Sequence, residues 1–209
     1  MKKIAITQRL VENDTYLEVR DALDVRWAEY CKELGAMPIL LPSRYDYLPY
    51  FEELDIAGII LTGGNDLSLV SPSKFSQNRD AYEISLLDFV VQQEVPVLGV
   101  CRGMQLIAAY FGANLEEVNG HVSTRHQISI MPDCRYYDCY SGQSTVNSYH
   151  NNRVVSLPDS LRIVATADDG TVEALQHTSL PIEGQMWHPE REFKFHRNDI
   201  LLAQQLFQL

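Results

Sequence analysis

Nowhere do about 18 apolar residues run together, the length an α-helix needs to cross a bilayer. The apolar stretch after the opening Met-Lys-Lys is also too short for the core of a secretion signal. A soluble, cytoplasmic protein is therefore expected. Basic residues are scarce, 17 against 28 acidic ones, for a formal net charge of −11. That balance argues against a nucleic-acid partner and confines any anion site to a local pocket. Cysteine is sparse as well. The four, Cys31, Cys101, Cys134 and Cys139, supply no second closely spaced pair to complete a zinc site with Cys134-x4-Cys139, so free thiols are expected. No low-complexity, Gly/Ser-rich or repeated segment reads as a linker. One domain spanning residues 1–209 is expected, without room for a second fused catalytic module.

What is present is an alternation of apolar runs and amphipathic stretches. Strand patterns lie near Ile4 to Thr7, at Met37 to Leu41, at Ile56 to Leu61 and at Val95 to Val100. Helix patterns run from about Tyr16 to Leu34, stopped by Gly35, from Tyr82 to Gln93, and from Met104 to Phe111 before Gly112. This rhythm predicts an α/β fold, a mostly parallel central sheet flanked by helices, with functional groups at the carboxyl ends of the strands. Beyond Gly112 the pattern changes to short strands: Gln127 to Met131, Leu161 to Ala167, Thr171 to Leu175 after the turn Asp168-Asp-Gly170, and Glu183 to Trp187. A helix from Ile200 to Phe207 closes the chain.

The segment Gly99-Val-Cys-Arg-Gly103 joins a buried strand to a helix and reads as a nucleophile elbow with sulfur at its tip. Glycines on both sides are required because a Cβ there would collide with the strand or the helix, and the tip residue is backbone-strained. Unpaired N–H groups and the dipole at the helix start favour a Cys101 thiolate, the attacking species in acyl transfer. Such a nucleophile needs a general base, and the base needs an orienting carboxylate. Trp187-His-Pro-Glu190 offers both: Pro189 biases His188 toward an extended conformation, in which His188 and Glu190 lie side by side. Thr62-Gly-Gly-Asn-Asp66 follows a buried strand, and its glycines, Gly63 and Gly64, allow backbone N–H groups to turn inward. The N–H groups of Gly64 and Arg102 are the candidate oxyanion donors. No motif calls for a metal or a cofactor.

Together, Gly99-Val-Cys-Arg-Gly-Met-Gln105, Leu61-Thr-Gly-Gly-Asn-Asp66 and Gln185-Met-Trp-His-Pro-Glu190 resemble the class I glutamine amidotransferase superfamily, and more closely its gamma-glutamyl hydrolase branch. Arg79-Asp-Ala-Tyr-Glu83, Val146-Asn-Ser-Tyr-His150 and Ala167 to Ala174 match further segments of that branch, and the match spans about residues 3 to 208. The resemblance implies a Cys101, His188, Glu190 triad, attack on a gamma-glutamyl carbonyl, and a glutamyl thioester that water resolves. It also implies that Gln105 and the Ser148 to Tyr149 backbone help hold the glutamyl group of a small-molecule substrate. Arg102 either grips a substrate carboxylate or forms a structural ion pair, with Glu83 as partner. One departure stands out: the branch often has His-His-Gln after the serine, whereas this chain has Tyr149-His-Asn-Asn152. His121 and His126 fall in the variable region near the mouth, touching substrate or lying as loop or strand-edge residues.

Length and the N-terminal half also resemble hydrolases that free glutamate from a gamma-glutamyl nucleotide to leave cytidine diphosphoramidate for capsule synthesis. A diphosphate would need cations, and Arg9, Arg20, Lys74 and Arg125 are the candidates. The alternatives are a glutaminase subunit that passes ammonia to a separate synthase, a hydrolase of other gamma-glutamyl amines, and a binding protein without turnover. Oligomeric state is left open by the sequence.

Overall fold

The computed structural model describes residues 1–141 and 143–209. In chain order its strands are Lys3–Ile6 (β1), Arg9–Glu12 (β2), Val19–Ala22 (β3), Met37–Leu40 (β4), Ile56–Leu61 (β5), Val97–Val100 (β6), Asn114–Glu117 (β7), Val122–Ile130 (β8), Gln143–Tyr149 (β9), Asn152–Val155 (β10), Leu161–Ala167 (β11), Val172–His177 (β12) and Ile182–Gln185 (β13). The α-helices are Arg26–Leu34 (α1), Leu48–Leu54 (α2), Lys74–Gln93 (α3), Arg102–Tyr110 (α4), Arg135–Tyr140 (α5) and Arg197–Phe207 (α6).

Among the described residues, nine strands form one sheet in the order β4-β1-β5-β6-β13-β12-β11-β8-β9. Pairing is parallel from β4 to β13 and antiparallel from there to β9. The fold is thus the expected α/β class; β12, β11, β8 and β9 extend the same sheet and make it mixed, while β7 and β10 pair apart from it. Alternate residues of the parallel strands point to opposite faces. Ala5, Ile59, Leu61 and Val97 pack with Leu86, Leu87 and Val90 of α3 and Leu106 and Ile107 of α4. Ile4, Ile6, Ile60, Leu98 and Val100 pack with Trp27, Tyr30 and Leu34 of α1 and Leu206 and Phe207 of α6. Each fully buried side chain of this size contributes about 1.5–3 kcal/mol by leaving water, so the strands that carry the site are held from both sides.

Several boundaries differ from expectation, β8 for one beginning at Val122 instead of Gln127, and three others bear on the site or the sheet edge. The helix anticipated from Tyr16 begins only at Arg26; the preceding stretch is the β2–β3 hairpin, where Leu17 is solvent-exposed and has no face to bury. α3 begins at Lys74, eight residues before the apolar pattern, with Ser73 as its cap accepting from the Ser76 N–H. The last strand ends at Gln185, so Trp187 to Glu190 lie beyond it. Among the described residues, no helix is long and apolar enough to cross a membrane.

Candidate active site

Strand β6 ends at Val100 beside Gln185 of β13, and the Cys101 N–H donates to the Gln185 carbonyl at 2.8 Å. Two neighbouring parallel strands therefore deliver Cys101 and, three residues past β13, His188 to one end of the sheet. Cys101 sits at φ 53°, ψ −105°, immediately before α4, a backbone conformation costing a non-glycine residue about 1–3 kcal/mol. The flanking glycines have the mechanical role expected. A Cβ on Gly99 would lie 2.6 Å from the Gly103 carbonyl carbon, and one on Gly103 would lie 2.1 Å from the Leu61 carbonyl oxygen. All four cysteines are free. Burial pushes the Cys31 thiol up to about 12, and burial followed by the neighbouring Asp138 raises Cys139 to about 11, so both stay protonated.

His188 is extended (φ −104°, ψ 96°), but Pro189–Arg191 form a 3-10 turn instead of continuing the strand. The turn still brings Glu190 to His188, with Nδ1 and Oε1 at 2.7 Å and both side chains about 2% exposed. A carboxylate only accepts, so Nδ1 carries the proton and Nε2 is left for the sulfur. Burial alone would lower the His188 pKa; the Cys101 sulfur and the Glu190 carboxylate outweigh it and push it up to about 9. Asn147 of β9 holds the backbone of this residue: its Oδ1 accepts from the His188 N–H (2.9 Å) and its Nδ2 donates to the His188 carbonyl (2.8 Å). The Tyr149 ring meets the imidazole edge-on at 5.7 Å, and the Arg191 guanidinium lies over Tyr149 at 4.6 Å. Asn147 belongs to a motif recognised in the sequence, but nothing in that motif marks it as the residue that holds the histidine.

The Gly63–Gly64 loop is fixed from behind by Arg79 of α3, which is fully buried. Its guanidinium donates to the carbonyls of Thr62 (2.8 Å), Gly63 (3.0 Å) and Gly64 (2.6 Å). In a trans peptide the next N–H points opposite to the carbonyl, so the Gly64 N–H faces away from Arg79. Gly63 lies against the pair, since a Cβ on it would come within 2.8 Å of His188 Cε1 and 3.7 Å of Cys101 Cβ. Of the two readings of Arg102, the ion pair is the one seen. Its guanidinium binds Glu83 and Asp80, all three nearly or fully buried, and Glu83 also binds Arg79 at 3.1 Å. Burial raises the Glu83 pKa most strongly, yet Arg102 and Arg79 together hold it below the usual carboxylate range.

A cleft of about 460 Å³ opens over Cys101, with Gly64, Arg102, Gln105, Tyr149, His150 and Arg191 among its walls. Gln105 Nε2 donates to the Asn152 carbonyl (3.1 Å). Ser148 is fully buried and its hydroxyl donates to the His121 carbonyl (2.7 Å). A second recess of about 320 Å³ adjoins Gly63, Gly64 and His188 and contains Arg9 and, again, Arg191. Of the four expected cations, only Arg9 lies there. Arg20 pairs with Glu18 on the hairpin, Arg125 pairs with Glu192 at 2.8 and 3.1 Å, and Lys74 opens α3 on the surface. Arg191 is not singled out by the sequence, since one arginine after a His-Pro-Glu run carries no signal of its own. His121 and His126 do not line the cleft; they turn toward Glu173 of β12.

The peptidase C26 family pattern matches residues 4–190. The chain belongs to this family. Its class I glutamine amidotransferase-like character agrees with the fold and motifs above. Family relatives include gamma-glutamyl-CDP-amidate hydrolase of Campylobacter jejuni, 35% identical over 208 residues, covering 99% of this chain and 98% of the relative. The glutamine-hydrolysing GMP synthase subunit of Thermoplasma acidophilum is 27% identical over 81% of this chain and 79% of its own length. The crystal structure of a GMP synthase subunit from that organism superposes with a TM-score of 0.76 at 21% identity, covering 100% of this chain and 93% of that one, a likeness of fold.

Proposed function

We propose that this protein hydrolyses a gamma-glutamyl amide-type bond through a glutamyl thioester on Cys101, as one glutamine amidotransferase type 1 domain spanning residues 1–209. The observation that carries this reading is the strained Cys101 at the start of α4 facing an imidazole whose other nitrogen is 2.7 Å from Glu190. In the first step the sulfur of the Cys101–His188 pair attacks the gamma-carbonyl carbon. Negative charge collects on the carbonyl oxygen, stabilised by the N–H groups of Gly64 and Arg102. The C–N bond breaks as His188 gives its proton to the leaving nitrogen. Water, deprotonated by His188, then attacks the thioester carbon and releases L-glutamate. Gln105, Tyr149 and the backbone between Ser148 and Tyr149 border the glutamyl side, the Ser148 side chain being buried behind it.

The substrate favoured is gamma-glutamyl-CDP-amidate, cleaved to glutamate and cytidine diphosphoramidate for capsular phosphoramidate synthesis in the cytoplasm. Its support is the near full-length similarity to the Campylobacter hydrolase, together with Arg9 and Arg191 beside the site, where a diphosphate would need cations. A second reading, a glutaminase that feeds ammonia to a separate synthase, draws on the GMP synthase relatives. Glutamate release by the purified protein alone separates them, comparing L-glutamine, a simple gamma-glutamyl amine and the gamma-glutamyl nucleotide amidate, with Cys101→Ala as control. Fast release from the nucleotide amidate only is the expected result. Slow glutamine turnover with nothing from the others would overturn it in favour of the ammonia-donating reading.

A further inference from the structure

Behind the cleft wall, four side chains from three segments converge: His121 just before β8 and His126 on it, His150 after β9 and Glu173 on β12. Glu173 is fully buried. Its Oε1 lies 3.3 Å from His121 Nδ1, 3.4 Å from His126 Nε2 and 3.3 Å from His150 Nε2, and the four ligand-capable atoms are all within 4.8 Å of one another. None of these nitrogens, nor either oxygen of Glu173, has a hydrogen-bond partner among the described residues. One carboxylate oxygen has two lone pairs and cannot satisfy three donors.

The outer nitrogens say more. His121 Nε2 faces Asp169 Oδ2 (3.0 Å), His150 Nδ1 faces the Asn152 carbonyl (3.1 Å), and His126 Nδ1 faces the Gln127 carbonyl (3.4 Å). All three partners are acceptors, so in neutral imidazoles the outer nitrogens carry the protons and the inner ones present lone pairs. Three imidazole lone pairs and a carboxylate then point at one another in a buried space with no donor between them among the described residues. A bound cation would supply the missing charge. Protonating all three rings instead would gather three positive charges around one buried carboxylate, an arrangement that desolvation opposes. A divalent ion would balance Glu173 and Asp169 together.

Distances and partners both suit such an ion. Tetrahedral zinc with bonds of about 2.0–2.1 Å has ligand–ligand edges of about 3.3 Å, close to the three Glu173 separations above. Metal-bound imidazoles also characteristically donate their other N–H to a carboxylate or carbonyl, as Asp169 and Asn152 permit here. We propose that His121, His126, His150 and Glu173 form a closed, structural site for one divalent ion of the zinc class. The ion would tie β8, β9 and β12 together behind the cleft. β9 carries the Asn147 that holds His188, the Ser148 hydroxyl is bonded to His121, and the Glu173 carbonyl accepts from the Met186 N–H at 2.7 Å. The site fixes the position of this wall. It stands independently of the role given to Cys101.

The test is metal content and stability of the whole chain, produced with zinc, then stripped with a strong chelator and reloaded with zinc or cobalt. Expected are one zinc per chain retained through dialysis, a lower Tm after stripping that one equivalent of zinc restores, and the intense visible bands of four-coordinate cobalt. Glu173→Gln and His126→Ala should each abolish stoichiometric binding. Should either variant not fold, the parent-chain titration decides alone. A repeat in Cys101→Ala excludes the thiol as ligand and should give the same result. A parent chain that holds no metal, and whose Tm zinc leaves unchanged, overturns the proposal. So does binding that survives in both folded variants.

Discussion

Glu190→Gln keeps the shape of the residue beside His188 and removes its charge, in a position about 2% exposed and 2.7 Å from Nδ1. A hydrogen bond to a charged group contributes about 1.5–3 kcal/mol, against about 0.5–1.5 for a neutral one. The imidazolium formed during turnover should thus lose about 1–2 kcal/mol of stabilisation, a fall in kcat/KM of roughly 5- to 30-fold. The pH dependence gives a second, independent number. Burial pulls the His188 pKa down, while Cys101 and Glu190 hold it at about 9. Without the carboxylate charge, the alkaline limb of kcat/KM should move toward neutrality by about one pH unit, equivalent to about 1.4 kcal/mol. The assay is glutamate release from the nucleotide amidate between about pH 6 and about pH 10, with His188→Ala as the more severe comparison. An alkaline limb still near 9 and a kcat/KM within about twofold of the parent would remove Glu190 from its proposed orienting role.

Cys101→Ala should abolish glutamate release while circular dichroism shows a folded chain. Cys101→Gly should also be inactive but about 1 kcal/mol more stable than the alanine variant in urea titrations, because glycine adopts the φ of 53° without strain. Gly63→Ala places a methyl 2.8 Å from His188 Cε1; displacing the imidazole should lower kcat/KM roughly 100-fold while circular dichroism shows a folded chain. Glu83→Gln leaves Arg79 and Arg102 buried without their shared counter-charge and should cost about 3–5 kcal/mol in chemical denaturation. His188 holds its proton more tightly folded than unfolded. Its contribution to stability is therefore complete below about pH 6.5 and lost as pH rises through about 9, and the Tm loss over that window should shrink in Cys101→Ala.

The parallel half of the sheet was legible because its strands are short apolar runs with both faces covered; the expected span of β5 is the observed one. α3 was half hidden for a reason tied to the site. The face it buries in its first half is Ser76, Arg79, Asp80 and Glu83, so apolar periodicity begins only afterwards. The hairpin at β2–β3 escaped because its apolar residues follow no single period and Leu17 is exposed. Cys101, His188 and Glu190 could be picked from local motifs, although the 3-10 turn that joins the last two could not. The histidine cluster is the opposite case. His121-x4-His126 falls within zinc-ligand spacing, but His150 and Glu173 reach it only through strand pairing, and no local pattern announces a ligand set assembled across three strands.

The carbonyl of Asn152 accepts both Gln105 Nε2 from the cleft and His150 Nδ1 from the histidine cluster, each at 3.1 Å. A carbonyl oxygen has two lone pairs, so this one is fully engaged and has nothing left for a ligand. It pins two otherwise separate chambers to a single oxygen. A designer who wished to graft a different substrate pocket onto this scaffold could not exchange residue 105 alone. Freeing its side chain would leave position 152 half-engaged and loosen the ring at 150, so positions 105, 150 and 152 would have to be transplanted as a unit.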